Sequence, residues 1–351
     1  MTAMLHVFAV LLAALAACCV RGNDFIERQR ATEEARLAAA RKMVVLVTGA
    51  SSGIGKAIAL EFASQPGYRV IATMRDVTKW HNEAGSEAQN ANIVVSTLDV
   101  TSDASVEALV ESVMRNHGRI DVLVNNAGFG LSGVLESVTI AQAQRLFDVN
   151  VWGVVRMLQA VLPHMRAARR GYIVNLSSTS GIRGIPGFEF YTGSKFALEG
   201  ITDSMRYSLA PFNISVTNVN AGPVRTGFTD VFGHADKGGR GTRPFDDATG
   251  YLEGLGEMMA QSLERRMHTA EAQSPEQVAG IVLTLASMKF TGPGRATDVP
   301  FNIGSSPDSQ RVLEAVKLHP TGWGGLYSTL LSNVPPLVDL VAEAEPPRDE
   351  L

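Results

Sequence analysis

The chain has 351 residues, 45% of them hydrophobic and 19% charged. That is a globular composition with length enough for a large buried core, which excludes a disordered or fibrous chain. The formal net charge is −4 and no Lys/Arg-rich run is present, so there is no electrostatic footprint for nucleic acid.

In chain order, residues 7–20 (VFAVLLAALAACCV) are all small or apolar. The run falls short of the roughly 20 residues of a membrane span and fits the apolar region of a secretory signal. Residues 1–22 are therefore read as a signal peptide, with an uncleaved signal anchor as the alternative. Two features complicate this: Met1 to His6 carries no Lys or Arg, and Leu15 to Cys18 resembles a bacterial lipoprotein signal. Both cysteines, Cys18 and Cys19, lie in this leader, so the rest of the chain can form no internal disulfide. Residues 23–42, charged and Ala-rich without Gly or Pro, read as a solvated helical linker.

From Met43 on, strand and helix signals alternate. Strands are expected at 43–48, 68–73, 93–98, 120–124, 172–176, 214–219 and near 299–303. Helices are expected up to Ser64 and over 105–116, 141–169, 191–210 and 276–287, with a further helical stretch at 251–266 after the Gly-rich 233–241. This rhythm predicts an α/β fold, a doubly wound, Rossmann-like parallel sheet with helices on both faces, as one domain over 43–304. Residues 305–351 read as an extension ending in Arg348-Asp349-Glu350-Leu351, a variant of the receptor-read retrieval signal of the endoplasmic reticulum. With the leader, this makes the lumen of that compartment the expected address, and a membrane-anchored form the alternative. Of two glycosylation patterns, the one at Asn175 falls in a strand, which leaves Asn213 as the acceptor candidate.

The first strand runs into Thr48-Gly49-Ala50-Ser51-Ser52-Gly53-Ile54-Gly55, where a helix opens. Glycines let the backbone turn tightly and let phosphate oxygens approach the amides, and the helix N-terminus adds unpaired N–H groups and partial positive charge. The second strand ends in Met74-Arg75-Asp76. A carboxylate at its end would bind a ribose 2′-hydroxyl, whereas a guanidinium pairs with a 2′-phosphate. Met74 holds the acid's place and Arg75 follows, with Ser51 and Ser52 as further donors, so NADP(H) is expected over NAD(H). The opposing reading makes Arg75 a solvated charge and Asp76 the ribose ligand. Tyr191 and Lys195 are four apart on a helix and so share a face. Ser178 stands 13 positions before Tyr191, just past the fifth strand, where doubly wound sheets carry their sites.

In these motifs the chain resembles the short-chain dehydrogenase/reductase family over about residues 43–290. The matching segments are Thr48 to Gly55, Leu98-Asp99-Val100, Asn125-Asn126-Ala127-Gly128, Asn150, Ser178, Tyr191 with Lys195, and Gly222-Pro223 with Thr226. The family likeness implies that Gly49 to Gly55 receive the dinucleotide phosphates, that Asp99 and Val100 border its adenine, and that Asn126, with Ala127 and Gly128, lies near its ribose. It further implies that Lys195 holds the nicotinamide ribose and that Pro223, Val224 and Thr226 cover the nicotinamide. Most relatives have Pro-Gly where this chain has Gly222-Pro223.

The same resemblance implies a catalytic set of Asn150, Ser178, Tyr191 and Lys195. Tyr191 is the acid/base, Ser178 binds the substrate oxygen, and Asn150 holds a water that links Lys195 to solvent, a packing or helix-kink role being its alternative. Ser177 competes with Ser178 for the hydroxyl role. Holding a phenol of pKa near 10 as phenolate at pH 7 needs roughly 4 kcal/mol, which a nearby ammonium and a positive nicotinamide ring can supply.

The segment from Tyr191 to Gly200 followed by Gly222-Pro223-Val224 is similar to the branch with estradiol 17-beta-dehydrogenases and retinol dehydrogenases. It implies a bulky apolar alcohol or carbonyl (steroid, retinoid or lipid); Phe188, Phe228, Phe232 and Trp323 are candidate pocket walls, with ordinary core positions as the alternative for each. A homodimer through the helices 141–169 and 191–210 is the family expectation, and the segments 1–20 and 305–345 allow membrane association. The competing function is a dinucleotide-binding sensor or scaffold with little turnover, against which the complete Asn, Ser, Tyr and Lys set argues.

Overall fold

The computed structural model describes residues 42–83, 90–227, 233–234, 272–291, 302–307 and 310–311. The leader, the linker, the helical stretch 251–266 and the extension with its terminal tetrapeptide lie outside the described residues, as do Phe228, Phe232 and Trp323.

Seven strands form one parallel sheet: β1 (Met43–Val47), β2 (Tyr68–Met74), β3 (Ile93–Thr97), β4 (Val122–Asn125), then β6 (Gly171–Ser178), β7 (Ile214–Ala221) and β9 (Asn302–Gly304), in the order β3-β2-β1-β4-β6-β7-β9. Two short strands not expected from the sequence, β5 (Leu131–Ser132) and β8 (Gly233–His234), pair in a second sheet. The helices are α1 (Gly53–Ser64), α2 (Thr78–Glu83), α3 (Asp103–His117), α4 (Ile140–Phe147), α5 (Gly153–Ala168), α6 (Glu189–Leu209) and α7 (Pro275–Thr291).

Side chains alternate across a strand, so each strand feeds two cores. Val45 and Val47 of β1 pack with Ile58 and Phe62 of α1 and Val278 and Val282 of α7, while Val44 and Leu46 face Val106 and Val110 of α3 and Met157 and Val161 of α5. Burying each such side chain stabilises the fold by about 1.5–3 kcal/mol. Local signals set the helix ends. Ser102 caps α3 by accepting from the Ser105 amide, and Gly118 closes it in the left-handed region at φ 71°. Thr139 and Gln142 form a capping box on α4.

The helix expected over 141–169 is interrupted. Residues Asp148–Trp152 form a π-helical turn between α4 and α5, and Arg169 ends the run at φ 48°. Asn175 is fully buried in β6, as expected, and Asn213 is exposed in a left-handed turn. Among the described residues no helix is long and apolar enough to cross a membrane.

The chain builds outward from β1 to β3, then returns to place β4 on the other side of β1. Such a reversal opens a crevice beyond the carboxyl ends of the two strands, where ligands of doubly wound sheets bind.

Candidate active site

A cleft of about 660 Å³ lies at this crevice, a size ordinary for a cofactor and substrate pocket. Its floor is the loop from β1 to α1. Gly49 and Gly53 adopt φ of 67° and 57°, which only glycine does at no steric cost. A Cβ at Gly49 would meet the Ala127 Cα at 2.8 Å, so the loop and the turn after β4 approach to backbone contact. Thr48 ties them: its hydroxyl accepts from the amides of Asn126 and Ala127, both at 3.0 Å. Ser52 stands at the N-cap of α1 without a side-chain cap bond, which leaves the helix N-terminus facing the cleft.

Most sequence-expected positions line this one cleft: Gly49, Ser51, Ser52, Gly53, Ile54, Arg75, Asp99, Val100, Asn126, Ala127, Gly128, Ser178, Tyr191, Lys195, Pro223, Val224 and Thr226. Gly55 does not. It sits behind the loop, where a Cβ would meet the Asn126 amide nitrogen at 2.3 Å and the Gly49 carbonyl oxygen at 2.4 Å. Its part is to let α1 close on the Asn126 side chain, which donates to the carbonyls of Thr48 and Gly49. Thr226 stands over the phosphate loop, its Cγ2 3.3 Å from where a Cβ on Gly53 would be. The Gly222-Pro223 segment is held from outside the cleft: Arg225 donates its amide to the Gln273 carbonyl, and the Gln273 amide donates to that of Pro223.

At the end near β2 and β3, Arg75 is exposed at the cleft edge and Met74 is buried beside it. The Asp76 carboxylate accepts from the Thr78 amide and hydroxyl at 3.0 and 2.6 Å, an Asx turn that starts α2, and it does not line the cleft. The sequence reading missed Lys79, which lines the cleft four positions after Arg75. Its signal was there, a second cation at helical spacing, but residues 78–83 carried no strong helix pattern. Asp99 is held by the Thr101 amide and hydroxyl, which keep its carboxyl below the usual range, with Arg75 adding to the effect.

At the other end, β6 and α6 bring Ser178, Tyr191 and Lys195 together. The Ser178 hydroxyl stands beside the Tyr191 phenol, near enough to favour its ionised form. The Lys195 ammonium, buried, donates to the Leu176 carbonyl at 2.8 Å and lies 5.8 Å from the centroid of the Tyr191 ring. Ser177 also lines the cleft, and its buried hydroxyl makes no hydrogen bond among the described residues.

Two further features bear on the expected roles. Burial pushes the Tyr191 phenol up to about 12, with Ser178 opposing the rise, so a phenolate here would depend on the positive nicotinamide ring as well as on Lys195. Asn150 stands behind the cleft wall: its amide nitrogen donates to the Phe129 carbonyl and the Ser194 hydroxyl, and its oxygen accepts from the Phe129 amide. Both amide hydrogens are used, so the side chain braces the turn after β4 against α6. Asn150 lies within the π-helical turn between α4 and α5.

A sequence profile described as short chain dehydrogenase matches residues 43–236, more than half of the chain. The chain belongs to the short-chain dehydrogenase family. It is 44% identical over 194 residues to human retinol dehydrogenase 8, covering 54% of this chain and 61% of that protein. To human 17-beta-hydroxysteroid dehydrogenase type 1 it is 37% identical over 252 residues, 69% of this chain and 74% of the relative. Against the retinol dehydrogenases, the chain spans about three fifths of the relatives' length. Among solved structures, a metagenomic short-chain oxidoreductase in complex with NADP is similar with a TM-score of 0.55 and 27% identity over 74% of this chain and 95% of that one. A Burkholderia phymatum member in complex with NAD shares the fold with a TM-score of 0.64 at 21% identity, over 89% and 99% of the two chains.

Proposed function

We propose that this short-chain dehydrogenase is an NADP(H)-dependent oxidoreductase that interconverts an alcohol and a ketone or aldehyde on a hydrophobic substrate. The observation that carries the reading is the Ser178–Tyr191 hydroxyl pair, with Lys195 one helical turn on, in the wall of the cleft at the sheet's switch point.

The chain's residues fit a dinucleotide on structural grounds. The positive φ of Gly49 and Gly53 and the open N-terminus of α1 make a phosphate cradle. Arg75 and Lys79 supply positive charge at the end of β2, and the Asp76 carboxylate is bound to Thr78 outside the cleft, which favours a 2′-phosphate. Lys195, in the cleft wall, would hold the nicotinamide ribose, and Thr226 would close over the phosphate loop. When bound, the cofactor supplies the hydride, or takes it up, at its nicotinamide, and in its oxidised form adds positive charge beside Tyr191.

The remaining work belongs to the protein. In reduction, Ser178 donates a hydrogen bond to the substrate oxygen and the neutral phenol of Tyr191 gives that oxygen a proton as the carbonyl carbon accepts hydride. In oxidation the steps reverse and Tyr191 takes the hydroxyl proton. Phe188 and Ile185 line the cleft beside Tyr191 and favour an apolar substrate, a class that the names of the retinol and steroid relatives also suggest. Ile140, Trp152 and Tyr207 are exposed on the α4–α6 side and suit a homodimer packed through these helices.

The test is a panel of steroid, retinoid and long-chain aliphatic carbonyls assayed with NADPH and NADH. NADPH-dependent reduction of at least one apolar carbonyl is expected, abolished by Tyr191→Phe with NADPH binding intact. Turnover retained in that variant refutes the mechanism.

A further inference from the structure

Asn125, Asn175 and Asn218 sit on neighbouring strands in register, Asn125 opposite Asn175 and Asn175 opposite Asn218. All three are buried, and buried amides are costly unless hydrogen-bonded. They form a chain. Asn125 Nδ2 donates to Asn175 Oδ1 at 2.9 Å, Asn175 Nδ2 to Asn218 Oδ1 at 3.0 Å, and Asn218 Nδ2 to Glu199 Oε2 at 2.6 Å. Every donor points the same way, so the ladder needs an acceptor at its end, and bonds in such a chain polarise one another. Two residues further along β7, Asn220 Nδ2 donates to the other oxygen, Glu199 Oε1, also at 2.6 Å. Accepting at both oxygens through short bonds is the behaviour of a carboxylate. Gly181 leaves room for it: a Cβ there would come within 3.1 Å of Glu199 Cγ and Oε1.

Glu199 follows Lys195 by one turn of α6, the spacing at which helical side chains meet. Burial costs an ammonium its hydration, and it pulls Lys195 down to about 8 while the Glu199 charge opposes the fall. Among the described residues Glu199 is the charged group that bears on Lys195. Tyr191 on the same helix is a titratable neighbour, and what β6 turns toward the ammonium is the neutral Leu176 carbonyl.

Resting on the function proposed above, we propose that Glu199 is a positioning residue for the reaction. Anchored by Asn218 and Asn220, its carboxylate is the counter-charge that keeps Lys195 cationic and extended beside Tyr191. The sequence pattern of the family site, Asn, Ser, Tyr and Lys, does not include it.

The test is Glu199→Gln in the full chain, read by the pH profile of alcohol oxidation with NADP⁺, by NADPH binding and by thermal unfolding. Oxidation isolates the lysine, because high pH favours a phenol acting as base and the fall in rate then reports loss of the ammonium proton. With the opposing carboxylate gone, Lys195 loses its proton at lower pH. The descending limb of kcat/KM is therefore expected to move toward acid by about one pH unit, at the low end for a nearby opposite charge. The turnover lost at pH 9 should be about tenfold greater than that lost at pH 6, and NADPH binding at pH 6 should be within threefold of wild type. Glu199→Asp, which keeps the charge on a shorter stem, should give a smaller displacement in the same direction. It carries the test by itself if the Gln variant does not fold. Profiles that superimpose on wild type for the variant examined, or a uniform loss of rate at all pH values, overturn the inference. Tyr191→Phe in the same assay separates the two claims: an active Phe variant refutes the acid/base reading, whereas an inactive one beside unshifted Glu199 profiles refutes the role of Glu199 alone.

Discussion

Replacing Gly55 by Ala sets helix propensity against packing. Gly55 lies within α1, where Ala is intrinsically better by about 1 kcal/mol. The contacts oppose this. The added Cβ would lie 2.3 Å from Asn126 Nδ2 and 2.4 Å from the Gly49 carbonyl oxygen, and the second is backbone in a tight loop that cannot step aside cheaply. If Asn126 rotates away, its 2.9 Å bonds to the carbonyls of Thr48 and Gly49 are lost. Two such bonds at about 1 kcal/mol each, with about 1–3 kcal/mol for overpacking, exceed the propensity gain and leave a net loss of about 2–4 kcal/mol. For a domain of this size that lowers the melting temperature by roughly 5–15 °C. Because Gly49 and Asn126 both line the cleft, NADPH affinity should fall as well. Thermal unfolding monitored by circular dichroism, with NADPH titration of the variant, checks both effects. An Ala variant that melts at or above the wild-type temperature and binds NADPH equally well would refute the packing argument.

Arg75→Ala should raise the KM for NADPH about tenfold and leave that for NADH unchanged, since an exposed charged hydrogen bond is worth less than a buried one. Lys79→Ala should do the same to a smaller extent, and steady-state kinetics with both cofactors reads the two together. Asp121 is buried and accepts from the Val44 amide and from Arg119 Nε at 2.9 and 2.7 Å, with Arg170 at 3.2 Å. Asp121→Ala should destabilise the fold by about 2–3 kcal/mol in urea unfolding, less than for a fully buried pair because both arginines keep contact with water. Trp152→Glu should shift a homodimer toward monomer in sedimentation, and an unchanged mass would place the contact elsewhere.

The parallel sheet was legible because its strands are buried on both faces and read as short apolar runs between helical stretches; observed ends fall within about three residues of those expected. The two-residue strands β5 and β8 were too short to leave such a pattern. The π-helical turn at Asp148–Trp152 was hidden because the apolar periodicity passes through it, and what marks it is a tertiary contact, Asn150 with the Phe129 backbone. The cleft residues were readable where chemistry dictates residue type, as in the glycine loop and the Tyr191–Lys195 pair. Electrostatics was not: the sequence placed a cation beside Tyr191 but gave no measure of burial, which raises the phenol instead. Nor could it align Asn125, Asn175 and Asn218, whose ladder exists only once β4, β6 and β7 take their register.

Isotope transfer tests the central claim most directly. With NADPH deuterated at C4 of its nicotinamide and an apolar ketone substrate, mass spectrometry of the product alcohol should find one deuterium on the former carbonyl carbon with the wild-type chain and no product with Tyr191→Phe. Alcohol formed without deuterium, or formed equally well without the phenol, would contradict the account.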